Sequence, residues 1–267
     1  MSLQAVQVRR FVASRGTRPG RGASRVVAVG SGRGGTGTSL VAGLLAARAT
    51  AAGHRTLLVD ADPLVGSQHL LWGVGEGPGV AALRGGVIEP EELPVAVSSR
   101  LSIATLSVGG PDTTEAESRT LLRRIAVLFP SWDAVVVDAG SRRSSLRICR
   151  DLGVRTLLVV GQADPVGIAT THAFLKAAAL DAPAIETPVL LNRTAAHEAE
   201  RGTEVLREGV ERFLDRPLRI AGSLPADTRL TAAMADGATL PGAFADSPLQ
   251  GLADALLTQL LATVADR

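Results

Sequence analysis

A glycine-rich stretch near the start of the sequence has the residue types and spacing of a phosphate-binding loop. Residues 30–39 read GSGRGGTGTS; they follow the apolar run 25–29 and precede a helical pattern that begins near Ser39. Closely spaced glycines permit positive φ and let the backbone lie against a ligand, while a helix N-terminus presents unpaired N–H groups to an anion. The stretch therefore predicts a strand, a phosphate loop and a helix in succession.

One position of this loop departs from the phosphate-loop template G-x-x-x-x-G-K-[ST]. Gly32, Gly37 and Ser39 match the template, but Thr38 stands where the template has lysine. Thr38 offers a hydroxyl in place of a positive charge, and hydrogen bonds to charged groups are the stronger ones. We therefore expect weaker phosphate binding, and a larger loss in hydrolysis, because the charge of the transition state is not compensated.

Three aspartates follow strand-like apolar runs. Asp60 and Asp62 come at the end of the run 55–59, and Asp138 closes the run 134–137. Ligands of an open parallel sheet bind beyond the carboxyl ends of its strands. Mg²⁺ in such sites takes one or two carboxylates together with phosphate oxygens. The acids and the loop together therefore predict a site for a nucleotide and Mg²⁺.

The same glycines also fit a dinucleotide-binding fingerprint. Residues 30–35 match G-x-G-x-x-G after a strand, and Asp60 ends the second strand, where a ribose-binding acid would lie. That pattern is typical of NAD(P)-binding oxidoreductases. It does not require residues 37–39, the second acid Asp62 or the strand that ends at Asp138, so it remains an alternative to the nucleotide and Mg²⁺ site.

The elements that must position these residues alternate between apolar strands and helices. This order is typical of a mostly parallel sheet with helices on both faces, a three-layer α/β/α fold. The predicted strands are 25–29, 55–60, 101–106, 134–138, 155–160, 188–192 and 218–221. The predicted helices are 39–52, 114–128, 143–151, 165–180, 195–214, 226–236 and 247–264. The segment 63–100, rich in Gly and Pro, shows no regular period, and we expect one domain over residues 25–267.

Composition narrows the class of protein. The chain has 267 residues, 46% hydrophobic and 20% charged, which is enough to bury a full core. No apolar run reaches the roughly 18 residues of a membrane span, and there is no signal-peptide pattern, so we expect a cytoplasmic protein. Cys149 has no second cysteine to pair with and no nearby metal-ligand pattern, and is predicted to be a packing residue.

The two ends of the chain have compositions that also occur in surface-binding segments: an arginine-rich stretch and a leucine-rich helix. Residues 1–24 place arginines among Gly, Ser and Pro and predict a flexible arm, which could contact nucleic acid or anionic lipid or act as a solvated linker. The net charge is only +2 and no basic motif is clustered, so nucleic acid is not the expected partner. The leucine-rich helix 247–264 lacks a basic polar face, so it is predicted to pack in the core, and membrane association is at most peripheral.

These motifs together resemble the MinD/ParA group of deviant phosphate-loop ATPases, whose signature is K-G-G-x-G-K-[ST]. The matching stretches are the signature at 33–39 (RGGTGTS), the first switch at 59–63 (VDADP), the magnesium strand at 135–138 (VVVD), the strand with an adenine-contacting asparagine at 190–193 (LLNR) and the turn beside the base at 221–227 (AGSLPAD). The resemblance extends from Arg25 to Leu261.

The resemblance implies the fold of a P-loop NTPase, ATP and Mg²⁺ as cofactors, and a nucleotide-bridged homodimer. It implies that Asp62 positions the attacking water and that Arg33 reaches the phosphates of a partner subunit. The metal ligands that it implies are Ser39, Asp60 and Asp138. The nucleotide contacts that it implies are Gly32, Arg33, Gly34, Gly35, Thr36, Gly37, Thr38, Ser39, Asn192 and Pro225.

Within that group, residues 32–39, 60–64 and 70–73 look most like CpaE-like, septum-site-determining proteins linked with Tad/Flp-type pilus or secretion loci. Such proteins usually carry an N-terminal receiver-like domain, which these residues do not include, so we expect a short member or a fragment. The implied function is positioning of a division site or a pilus or secretion machine, at a polar or septal location, with weak or no hydrolysis. The alternatives are an active ATPase in which Arg33 takes over the lysine's role and a DNA-partitioning protein.

Overall fold

A computed structural model describes residues 24–62, 66–106, 114–141, 143–214 and 216–265, with side chains in the last helix described up to residue 262. The predicted arm at 1–24 lies outside the described residues except for Ser24. Pro63, in the predicted first switch, also lies outside them.

The described residues form one eight-stranded sheet. The strands are β1 Arg25–Gly30, β2 Thr56–Asp60, β3 Val95–Ala96, β4 Leu101–Thr105, β5 Ala134–Asp138, β6 Thr156–Gly161, β7 Val189–Asn192 and β8 Ile220–Leu224. Their order is β3-β4-β2-β5-β1-β6-β7-β8, and every neighbouring pair is parallel except β3 with β4. The phosphate-loop strand β1 lies between β5 and β6, so the loop is next to the end of the strand that carries Asp138.

Helices connect the parallel strands and cover both faces of the sheet, as parallel connections require. They are α1 Thr38–Ala51, α2 Gln68–Trp72, α3 Gly79–Arg84, α4 Glu115–Ala126, α5 Ser144–Asp151, α6 Pro165–Asp181, α7 Ala196–Leu214, α8 Thr228–Ala235, α9 Leu240–Phe244 and α10 Leu249–Ala265. Local caps begin several of them: Thr114, Asp164 and Asp227 each accept a hydrogen bond from a backbone N–H of the following first turn.

Two apolar cores, one on each face of the sheet, confirm the three-layer α/β/α prediction. The terminal helix α10 packs against α1, β1 and β8, which confirms its predicted place in the core. Its leucines are buried except Leu252, which is 43% exposed. Cys149 is buried and unpaired, as predicted, and burial raises the pKa of its thiol to about 12. None of the described helices is long and apolar enough to cross a membrane.

The segment between β2 and β4 and the strand near residue 220 differ from the prediction. Helices α2 and α3 and the edge strand β3 lie in the segment for which the sequence showed no period; each is only a few residues long, too short for a period to be visible. The strand predicted at 218–221 is found at Ile220–Leu224 instead. The pairing of this strand with β7 shifts register between Val189 and Leu190. The irregularity comes shortly after Pro217, which has no N–H to donate to the sheet.

Candidate functional site

The phosphate loop runs from the end of β1 to the start of α1 and packs closely against its surroundings. Gly37 has φ of 91°, a conformation that L-residues rarely adopt, and a Cβ there would stand 2.5 Å from Asn192 Nδ2. A Cβ on Gly32 would stand 2.3 Å from the carbonyl oxygen of Thr170 on α6. Larger residues at these two positions would move the loop away from β7 or α6, which explains the glycines.

The hydroxyl of Thr38, at the position of the template lysine, hydrogen-bonds inside the loop. Thr38 is 6% exposed, and its Oγ1 donates to Ser31 Oγ at 3.0 Å. Thr36 Oγ1 lies 3.0 Å from Thr38 Oγ1, and Ser31 Oγ donates to the carbonyl of Arg33 at 2.8 Å. We call Ser31, Thr36 and Thr38 the hydroxyl network. The Thr38 hydroxyl is therefore hydrogen-bonded within its own loop.

The N-terminus of α1 retains the backbone features of an anion site. Its N-cap, Gly37, provides no side-chain hydrogen bond, and the first turn contains no acidic residue. The first-turn N–H groups of such a helix are open to an anion, and the helix dipole favours negative charge there. Around Gly35, beyond its chain neighbours, no described atom lies within 4 Å of where a Cβ would stand. The loop backbone therefore fits a phosphate group, although its lysine position carries no charge.

Arg33, the cation inside the loop, is held by its own chain. Its Nη2 donates to Asp164 Oδ2 at 2.9 Å and to Gln162 Oε1. Asp164 also accepts from the N–H of Gly167 at the start of α6, and this bond, together with Arg33, lowers the pKa of its carboxyl. The structure thus places Arg33 beside the end of β6, and its predicted reach to a partner subunit remains a prediction.

Two buried carboxylates lie side by side at the carboxyl edge of the sheet. Asp60 and Asp138 are opposite each other in the parallel pairing of β2 with β5, and both are 0% exposed. Burial raises the pKa of Asp60 to about 7, and the nearby charges of Asp138 and Asp62 contribute to the rise. Burial also raises the pKa of Asp138, although the Ser39 side chain hydrogen-bonds to it and opposes the rise.

Gln68, the first residue of α2, links these acids to the loop helix. Its backbone N–H donates to Asp60 Oδ2 at 2.8 Å. Its side-chain Nε2 donates to Asp138 Oδ2 and to the carbonyl of Ser39, each at 2.8 Å, while its buried Oε1 has no hydrogen-bond partner among the described residues. The amide nitrogen thus contacts two of the predicted metal-binding residues. Gln68 was not among the predicted site residues, because it lies in the segment without a regular period and carries no motif.

The residues predicted to hold Mg²⁺ are brought together. Ser39, Asp60 and Asp138 supply a hydroxyl and two carboxylates, which fits a cation that completes its shell with phosphate oxygens and water. Among the described residues, no group of three or more His, Cys, Asp or Glu side chains could hold a metal ion. Asp62, the predicted water-positioning residue, is half-buried, and its carboxylate packs against Gly140 just after β5.

The end of β7 holds the loop from the other side. Asn192 is buried, and its Nδ2 donates to the carbonyl of Thr36 at 2.8 Å. Arg193 follows it, and its Nη1 donates to the carbonyl of Gly35 at 3.3 Å. Asn192 therefore braces the loop backbone, while its contact with adenine stays a prediction. Pro225 is exposed directly after β8, at the same edge of the sheet.

With this geometry, the chain is similar to several proteins of known structure. No protein-family model and no curated protein matches its sequence. The MinD of a MinC:MinD cell division complex from Aquifex aeolicus has a TM-score of 0.70 at 17% identity, over 90% of this chain and 96% of that one. MinD from Pyrococcus horikoshii, complexed with Mg-ADP, has a TM-score of 0.68 at 16% identity, over 89% and 96%. A putative plasmid partition protein from Borrelia burgdorferi, bound to AMPPNP, has 0.68 at 14%, over 90% and 99%.

These likenesses define the fold. The described chain has the architecture of the MinD/ParA-type P-loop NTPases, with a mostly parallel sheet and helices on both sides, as the sequence predicts. The sequence identities of 14–17% extend the comparison no further than the fold.

Proposed function

We propose that this chain is a positioning protein of the MinD/ParA type that binds ATP with Mg²⁺ weakly and hydrolyses it slowly or not at all. The observation that carries the proposal is the hydroxyl network at the lysine position. Thr38 is neutral, buried and engaged with Ser31, so it supplies no charge to a phosphate. The glycine loop, the α1 N-terminus and the acids Asp60 and Asp138 support retained nucleotide binding.

The missing charge affects hydrolysis more than binding. Backbone N–H groups and Mg²⁺ contact a nucleotide in both its ground state and its transition state, whereas a lysine on the transferred phosphate gains strength as charge develops. Loss of one such donor typically lowers turnover by about 10²–10³-fold. We therefore expect a site that binds nucleotide and turns it over at a small fraction of an intact phosphate-loop ATPase.

The positioning role is supported by the fold and by the loop and switch sequences. The MinD of the Aquifex aeolicus structure is in a complex with MinC, and another solved structure of this fold is a putative plasmid partition protein. Residues 32–39 and 60–64 resemble the CpaE-like, septum-site-determining proteins. We propose a homodimer that locates a division site or a pilus or secretion machine, in the cytoplasm at a pole or septum.

Equilibrium titration with ATP in the presence and absence of Mg²⁺, paired with phosphate-release measurements, tests this proposal. We expect weak binding that strengthens with Mg²⁺ and turnover close to background. Ser39→Ala is the matched variant, because it removes one predicted metal-binding hydroxyl and should reduce the Mg²⁺ effect. Tight binding with brisk hydrolysis would contradict the degenerate site, and a lack of binding to any adenine nucleotide would contradict nucleotide dependence.

An active ATPase that uses Arg33 in place of the lysine is the alternative. Arg33 is the cation within the loop, but Asp164 and Gln162 hold it, so this function requires those contacts to open. Arg33→Ala should abolish turnover in an active enzyme of this kind. In the protein we propose, the same change leaves the already low turnover close to background.

A further inference from the structure

Arg193 has an unusual backbone conformation. Among the described residues, it is the only non-glycine residue with positive φ, at 55°. An L-residue in the left-handed region is uncommon because its Cβ crowds the backbone, whereas glycine adopts this conformation freely. An arginine in this position is explained by its side chain, since the backbone would be less strained with glycine.

The Arg193 side chain extends from the end of β7 onto the phosphate loop. Its Nη1 donates to the carbonyl of Gly35, next to the Thr36 carbonyl that Asn192 holds. Consecutive residues of β7 and its end therefore bind consecutive carbonyls of the loop. The bond of Arg193 is long, at 3.3 Å, and its acceptor is neutral, so a phosphate oxygen would be the stronger partner for the same guanidinium.

Arg193 is also available to a ligand in a way that Arg33 is not. Arg33 is paired with Asp164 and bonded to Gln162. Arg193 is exposed and, within the part of the chain that the structure describes, forms no ion pair. A guanidinium has five N–H donors in a planar fork that suits phosphate oxygens, and its bond to Gly35 uses only one of them.

We propose that Arg193 is the phosphate-binding cation of this site and supplies, from the end of β7, the charge that Thr38 does not. The inference rests on the proposed nucleotide binding and assigns the charge to one residue. At rest the guanidinium is held at the loop by the Gly35 carbonyl; with nucleotide bound, it exchanges that carbonyl for phosphate oxygens.

Equilibrium titrations of ATP, ADP and AMP with Mg²⁺ against wild type, Arg193→Ala and Arg193→Lys test the inference. Arg193→Ala should weaken ATP binding about tenfold, ADP binding less and AMP binding least, because the lost charge matters most where the phosphate charge is greatest. Arg193→Lys should retain part of the affinity. Arg193 and Arg201, an exposed arginine of α7, both line a groove between α6 and α7. Arg201→Ala is therefore the matched control and should bind as wild type.

Arg193→Gly separates the ligand role from a structural one. Glycine fits the left-handed backbone, so this variant should melt about 2 °C or more above Arg193→Ala while losing the same ATP affinity. Wild-type affinity for ATP in both variants would overturn the inference and leave the proposed function standing. Equal losses for ATP and AMP would overturn it too, because they indicate a disturbed loop. If wild type binds no adenine nucleotide, the proposed function fails, and this inference fails with it.

Discussion

The two halves of the candidate site differ in how their polar groups are satisfied. In the loop half, the hydroxyls of Ser31, Thr36 and Thr38 bond to one another, so a neutral side chain at the lysine position leaves no group unpaired. In the acid half, Asp60 and Asp138 lie buried side by side, and burial raises the pKa of both. The hydroxyls of the loop half are satisfied without a ligand, whereas the acid half carries an electrostatic cost that a cation would offset.

The largest effect expected from this difference is a pH dependence of stability. Without divalent cations, the free energy of unfolding should fall as pH rises from about 4 to about 7, because folded Asp60 holds a proton that the unfolded carboxyl has released. The pKa rise from 3.8 to about 7 corresponds to about 4 kcal/mol. Above that range Asp60 is ionised in both states, and its contribution to the slope ends.

Urea denaturation at a series of pH values, in the presence of a chelator, measures this slope. Asp60→Asn removes one titrating group and should flatten the profile between pH 5 and 7, leaving the contribution of Asp138, whose pKa burial also raises. Parallel profiles for wild type and Asp60→Asn would show that the acid half is not under the electrostatic cost we assign to it.

Thr38→Lys tests whether the missing charge in the loop half limits turnover. A lysine there restores the template charge, and phosphate release should rise about 100-fold or more. The lysine also displaces the bonds of Thr38 to Ser31 and Thr36, so the nucleotide-free variant should lose about 1–2 kcal/mol of stability. Thr38→Arg is the control, because its wider planar fork is a poorer fit for a lysine position and should rescue less. Unchanged turnover in a folded Thr38→Lys protein would place the limiting defect elsewhere.

Gln68→Met tests the contact between the acid half and α2. The variant removes the Nε2 bonds to Asp138 and to the Ser39 carbonyl while keeping the length of the side chain. Chemical denaturation without divalent cations should show a loss of about 2 kcal/mol, since a bond to a charged acceptor is lost. Gln68→Glu should be more destabilising, because it adds a third carboxylate to the pair. If Gln68→Met leaves the stability unchanged, the side-chain amide of Gln68 does not lower the electrostatic cost of the two buried acids.

The smallest effect is expected for Thr38→Val, which removes the hydroxyl and keeps the branched shape. Loss of its bond to Ser31 should lower stability by about 1 kcal/mol, and by the same amount with and without ATP. Thr38→Ser keeps the hydroxyl and should lose less. Thermal denaturation at saturating and zero nucleotide measures both. A loss of stability that appears only with ATP would mean that this hydroxyl contacts the ligand and not only the hydroxyl network.

Most long elements could be predicted from the sequence because their signals are local. β5 at Ala134–Asp138 follows from an apolar run that ends in an acid, and α6 at Pro165–Asp181 lies where the sequence predicts the helix 165–180. The short elements α2, α3, α9 and β3 could not be predicted, because a few residues cannot show a period and their conformation depends on packing against the sheet. Gln68 was missed for the same reason, since it lies on α2.

The loop and strand-end residues at the carboxyl edge of the sheet could be predicted from the sequence alone. The loop glycines, Ser39 at the start of α1, and Asp60 and Asp138 at strand ends are placed by backbone freedom and by the alternation of strands and helices, both of which are local. Their contacts with one another depend on the strand order, which is set by tertiary packing and not by any local pattern. The strand order β2-β5-β1-β6-β7 brings together side chains that are far apart in the chain, and so joins Arg33 to Asp164, Gln68 to Asp138 and Arg193 to the loop.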